Sequence, residues 1–194
     1  GRDLAGTGDS SGSVATLVAG RHFGLQSQPG VFLVRGTLAG ANIANGQLYS
    51  DIRVGQNITG VITVGGAPNK VGDNQVGGGS IVSFGSIASI VINGDFDGDI
   101  ISHSGGIASI AINNGSLLPG NTVAAYNASL GSLIITNGNL YGDVHADVDI
   151  TLLRVVAGAD GVFGDIGVNP MINGTASYDA RRNHLPLGVA QNPT

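Results

Sequence analysis

The chain has 194 residues, enough to bury one core, with 34 glycines, 42% apolar residues, only 11% charged residues and a formal charge of −5. All 13 acids are Asp, Lys70 is the single lysine, and strong helix formers are scarce, which argues against a helical fold. Six prolines without a glycine at every third residue exclude collagen, zero cysteines exclude a disulfide framework and a thiolate metal site, and the negative charge gives no reason to expect nucleic acid as a partner.

The chain opens Gly1-Arg2-Asp3 without an initiator Met, as a processed or trimmed chain does. No signal peptide is visible, and no apolar run approaches the ~20 residues of a membrane span. Three similar groups follow: Val14, Leu17 and Gly20; Leu38, Gly40 and Ile43; Ile58, Val61 and Gly65. Each reads as part of one coil of a repeating structure. Ala67 to Ser80 breaks the rhythm: it is polar, carries Lys70 and ends in three consecutive glycines before Ser80, so a loop insertion at 67–80 is expected.

The repeat is clearest from residue 86 to 168. Gly98, Gly120, Gly142 and Gly164 fall 22 residues apart, followed by Asp99, Asn121, Asp143 and Asp165. Ile90, Ile110, Leu133 and Leu153 keep the same phase, as do Ile92, Ile112, Ile135 and Val155, and then Phe96, Leu117, Leu140 and Val162. Within each segment, apolar residues alternate with small or polar ones, the period-two pattern of a strand with one buried face. Asn-Gly steps at 45–46, 93–94, 114–115, 137–138 and 173–174 supply residues that tolerate positive φ, so the chain can turn sharply between flat faces. Asn-Gly alone would suggest antiparallel hairpins. A repeat in phase over several periods instead predicts coils stacked one on the next.

The fold expected is therefore all-β: a right-handed parallel β-solenoid over residues 1–168 with coils of about 22 residues, the handedness following the general rule for parallel crossovers. Seven to eight coils at roughly 4.8 Å per rung make a rod of about 35 to 40 Å. Asn169 to Thr194 holds three prolines and the pair Arg181-Arg182 and is expected to form an extended tail.

The pattern Gly-Ser-Ile-x-Ser-Ile-x-Ile-x-x-Gly-x-Leu-x-Gly-Asp-Ile, best seen at residues 85–100 and 129–144, resembles the glycine-rich repeats of large surface and extracellular proteins of planctomycete-type bacteria. The opening Gly1-Arg2-Asp3-Leu4-Ala5-Gly6 is similar to the second half of such a coil. A looser similarity, through the Gly-Asp-Val and Gly-Asp-Ile steps, links the chain to bactofilins, which are polymer-forming β-solenoids. The resemblance implies a coil and an extracellular or cell-surface location, and names no active site.

Asp95, Asp97 and Asp99 alternate along one strand and should share a side, and Asp99, Asn121, Asp143 and Asp165 should stack about 5 Å apart. Oxygen ligands on one face are what calcium requires, so Asp95, Asp97, Asp99, Asp143 and Asp165 are the candidate calcium ligands, with Asp143, Asp147 and Asp149 a weaker cluster. The competing reading is a solvated acidic edge that keeps the rod from aggregating. His22, His103, His145 and His184 are out of phase with the repeat and near no nucleophile, so they read as surface or turn residues. No phosphate-binding loop, dinucleotide fingerprint, nucleophile elbow or His-Glu-x-x-His motif occurs, and threonine is too sparse for an ice-binding array. Four Asn-x-Ser/Thr sequons follow from the composition alone.

The sequence thus predicts a structural, non-catalytic protein without a required cofactor. Its expected partner is itself, through end-to-end contacts reinforced by strand addition from the tail. A calcium-dependent adhesin or carbohydrate-binding module is the alternative. A polysaccharide-active β-helix enzyme is the third reading; it needs two convergent carboxyls in a groove and is disfavoured by the absence of Trp.

Overall fold

A computed structural model describes residues 7–25, 27, 29–65, 78–156, 162, 164–168 and 175–178. The strands run β1 (Gly8–Ser10), β2 (Leu17–Ala19), β3 (Val31–Val34), β4 (Ala41–Ile43), β5 (Asp51–Val54), β6 (Ile58–Val64), β7 (Ile81–Ser83) and β8 (Ile87–Asn93). They continue as β9 (Ile100–Ser102), β10 (Ile107–Asn113), β11 (Thr122–Ala125), β12 (Leu130–Thr136), β13 (Asp143–Ala146), β14 (Ile150–Val156), β15 (Ile166–Val168) and β16 (Thr175–Tyr178).

Odd-numbered strands form one eight-stranded sheet and even-numbered strands another, each in sequence order. Every pairing is parallel, so each strand lies on the equivalent strand of the neighbouring coil. The molecule is a β-solenoid of about seven turns, with about 21 residues to a coil. A third, thinner line of contact joins the coils through single bridges at Phe96, Leu117, Leu140 and Val162.

The core consists of ladders, one residue per coil. Ile62, Ile90, Ile110, Leu133 and Leu153 stack in register, and so do Val64, Ile92, Ile112, Ile135 and Val155. Ile52, Ile81, Ile100, Val123 and Val144 make the facing ladder from the narrower sheet. All of these side chains are buried. β-branched residues dominate because their stiff χ1 suits a pleated surface, and each fully buried Ile, Leu or Val contributes about 1.5–3 kcal/mol. Where the wall turns a tight corner the ladder changes to small residues: Ser83, Ser102, Ala125 and Ala146. The two serines are buried, and each hydroxyl donates to a backbone carbonyl, Ser83 to Gln56 at 2.6 Å and Ser102 to Gly85 at 2.7 Å.

The aliphatic ladders match the sequence reading, and so does Val14–Leu38–Ile58 in the first coils. Three assignments change. Leu17 pairs with Ala41, and Val61 points outward, half exposed, beside a register shift in β6. Gly79 and Ser80 belong to the wall, because Gly79 N–H donates to the Leu48 carbonyl and Ser80 N–H to Asp51; the expected loop at 67–80 otherwise lies outside the described residues up to Gly78. Thr175–Tyr178, expected in the tail, pairs with β14 as a further strand. Residues 169–174 and 179–194 lie outside the described part.

Candidate functional site

Asp95, Asp97, Asp99 and Asp143 face outward, each between buried neighbours such as Phe96 and Gly98, and Asp165 is exposed between half-buried ones. They belong to separate columns. The first runs Asp51, Ser80, Asp99, Thr122, Asp143 and Asp165, as the register of the adjacent strands requires. Within it, a side-chain oxygen of one coil accepts from the backbone N–H of the next: Ser80 N–H to Asp51 Oδ1 at 3.0 Å, Asp99 N–H to Ser80 Oγ at 3.1 Å, Thr122 N–H to Asp99 Oδ1 at 2.9 Å, and Asp165 N–H to Asp143 Oδ1 at 2.9 Å. The acids here work as corner caps. Each of these positions opens or directly precedes a strand of the narrower sheet, and a carboxylate or hydroxyl supplies the acceptor for the backbone donor of the next coil.

The second column is Asp95, Ser116 and Asn139, with Ser116 N–H donating to Asp95 Oδ1 at 2.8 Å and Asn139 N–H to Ser116 Oγ at 2.9 Å. Asp97 stands between the columns and accepts from Asn121 Nδ2 at 3.0 Å. Asn121 is therefore not the rung between Asp99 and Asp143. The turn at Pro119-Gly120, with Gly120 at φ +83, adds two residues to this coil, so Thr122 takes the rung. Among the described residues, no group of three or more His, Cys, Asp or Glu side chains could hold a metal ion.

A constellation that the spacing hides lies on another edge. Phe84, His103 and Tyr126 each directly follow the last residue of β7, β9 and β11, and their rings stack along the rod. Centroids are 5.0 Å apart for Phe84–His103, 5.9 Å for His103–Tyr126 and 5.8 Å for Tyr126–His145. Below them, His145 Nε2 lies 2.7 Å from Asp147 Oδ1, while Asp147 Oδ2 accepts the Asn127 N–H at 2.7 Å. The Asn127 hydrogen bond, with that of His145 second, holds the Asp147 carboxyl below the usual carboxylate range. Phe84 is 57% exposed. Such ring contacts contribute about 0.5–1.5 kcal/mol each beyond area burial, and they form a continuous exposed strip. The rings sit three residues past the buried Ile81, Ile100 and Val123, so aligning coils on that ladder, rather than on Gly-Asp, reveals them.

Two smaller features complete the wall. His22, expected on the surface, accepts the Gln47 N–H on Nδ1 at 3.0 Å and lies against Tyr49. Asn57, the first residue of a sequon, accepts the N–H of Ser86 at 2.8 Å and its hydroxyl at 3.0 Å, which ties it into a corner. His184 lies outside the described residues.

Among the described residues no helix is long and apolar enough to cross a membrane. No family model matches the chain, and no curated protein or solved structure matches it.

Proposed function

We propose that the chain is a structural β-solenoid of a secreted or cell-surface protein, a stiff rod without catalytic activity that associates end to end. The observation that carries the reading is the state of the rod's terminal rungs. Leu17 N–H donates to the Gly40 carbonyl and the Ala19 carbonyl accepts from Ala44 N–H, and this parallel register turns the N–H and C=O of Val18 away from β4. Among the described residues β2 has a strand on one side only, and so has β16. Unpaired strand edges of matching geometry are templates for one another. The corner columns support the rod role, since their polar side chains serve coil-to-coil bonds. The surface assignment rests on the resemblance of the coil pattern to extracellular glycine-rich repeats.

The test is electron microscopy of the purified protein beside Val18→Pro. Proline there removes an edge donor without touching a bond to β4. Filaments from the parent chain and single particles from a folded Val18→Pro support the reading. Particles that stay single at every concentration overturn it.

A second reading, a carbohydrate-binding module, is favoured by one feature, the exposed ring strip from Phe84 to His145. Retention on insoluble polysaccharides that Phe84→Ala weakens would support it, and equal retention of both proteins would count against it.

A further inference from the structure

Beyond shaping corners, the Asn-Gly steps carry a chemistry of their own. Glycine, without a Cβ, leaves its peptide nitrogen unshielded and able to reach the side-chain carbonyl of the Asn before it. Four such steps lie within the described residues, and Asn173-Gly174 lies outside them. The four share one dipeptide and differ in surroundings, so the fold decides which of them can react.

Three steps are closed. At Asn93-Gly94 the Asn amide is engaged at both ends, Nδ2 donating to the Gly65 carbonyl at 2.8 Å and Oδ1 accepting from Asn113 Nδ2 at 3.2 Å. The Gly94 nitrogen is engaged too, donating to the Asn113 carbonyl at 2.8 Å. At Asn114-Gly115 and Asn137-Gly138 the two amides bond each other across the coils, Asn137 Nδ2 to Asn114 Oδ1 at 3.0 Å, and both Asn residues have left-handed φ. Gly94, Gly115 and Gly138 are all buried, which disfavours the amide anion that an attack on the side chain requires.

Asn45-Gly46 is open. Asn45 is exposed and Gly46 half-buried, and among the described residues neither the Asn45 side chain nor the Gly46 N–H has a hydrogen-bond partner. The residues on either side are held to the preceding coil: Ala44 N–H donates to the Ala19 carbonyl at 3.0 Å, and Gln47 N–H to His22 Nδ1 at 3.0 Å.

We propose that Asn45 is a site of spontaneous deamidation, and that among the four described steps the fold confines this modification to it. Solvent base removes the Gly46 amide proton, and the nitrogen attacks Asn45 Cγ. The N–Cγ bond forms, the Cγ–Nδ2 bond breaks, and the amide nitrogen leaves as ammonia with a proton from water, which regenerates the base. Water then opens the cyclic imide at either carbonyl, giving aspartate or isoaspartate. Both products place a new negative charge at the corner, and isoaspartate also adds a methylene to the main chain. The preceding coil leaves no room for that added length, since a Cβ on Gly46 would overlap the Arg21 carbonyl. The lengthened corner therefore lifts from the preceding coil and loosens the Ala44 and Gln47 bonds beside β2.

Peptide mapping by mass spectrometry of the full chain, aged in mildly alkaline buffer, tests the assignment, with an isoaspartyl methyltransferase reporting the product. The expected result is deamidation at Asn45 at least about tenfold faster than at Asn93, Asn114 or Asn137, which react only from locally opened states. In urea the four steps should react at similar rates, because the dipeptide is the same and the fold is gone. Asn45→Gln should remove the fast event at an unchanged melting temperature. Hydrogen exchange across Leu17–Ala19 should be faster in aged than in fresh protein, and unchanged exchange would overturn the lifting of the corner. Equal native rates at the four steps, or a native Asn45 that stays intact while the urea-unfolded chain reacts, overturn the site itself. Both outcomes leave the end-to-end reading untouched.

Discussion

Asp99 illustrates what a half-buried carboxylate does in this wall. It accepts the Thr122 N–H at 2.9 Å, and its own N–H donates to the Ser80 hydroxyl, so it links three coils. Asp99→Ala should destabilise by about 1–3 kcal/mol in urea titration, the cost of a stranded donor, and Asp99→Asn should restore most of it because an amide oxygen still accepts. If both substitutions were equally harmful, charge rather than capping would be the cause. Asp147 gives the pH counterpart. Its carboxyl is held below the ordinary value of 3.8 by the Asn127 N–H and then by His145. A depressed carboxyl contributes stability above the unfolded-state pKa, and the contribution is lost as pH falls through the folded value. Melting curves of the parent and Asp147→Ala should therefore differ near neutrality and converge in acid. The acids were legible in the sequence as a column, but their partners were not, because backbone donors leave no mark on composition.

Each coil must turn its corners without moving its rungs. Steps between equivalent residues range from 19, at Ile81 to Ile100, to 29, at Ile52 to Ile81, while the ladders keep their partners. The extra residues lie in the turns. Alternation of Ile and Leu with small residues made the wide strands readable, because one buried face imposes a period of two. Ring stacking and the Thr122 rung were unreadable for the opposite reason: they depend on how many residues a turn holds, which a fixed 22-residue alignment averages away. Two Asn-Gly corners show how close the turns of successive coils come. Asn114 and Asn137 adopt φ of 54° and 55°, and a methyl group on Gly138 would overlap the Gly115 carbonyl of the preceding coil. Gly138→Ala should lower stability by about 1–3 kcal/mol, measured as a shift in urea midpoint, since the coils must part to admit it. An unchanged midpoint would mean that the corners are not close-packed.

Along the whole rod, stability is close to a sum of coil and interface terms, because each coil touches only its neighbours. Central rungs gain contacts on two sides. Leu133 is fully buried between Ile110 and Leu153, so Leu133→Ala should cost about 2–5 kcal/mol. Hydrogen exchange should be slowest in β8, β10 and β12 and fastest at β1 and β2, and uniform protection would contradict a one-dimensional stack. One detail of the stack bears on how such a chain can acquire new parts. Ile62 and Ile90 are 28 residues apart, against 20 for Ile90 and Ile110, yet Thr63–Val91 and Val64–Ile92 pair as faithfully as any other rung. Added length at that corner leaves the Val61-to-Val64 rungs continuous with Ser89 to Ile92, as the slow growth of loop-closure entropy with length allows. The rod thus behaves as a ruler with sockets: its graduations are fixed by the ladders, and guest sequence can be mounted at a corner without redrawing the scale.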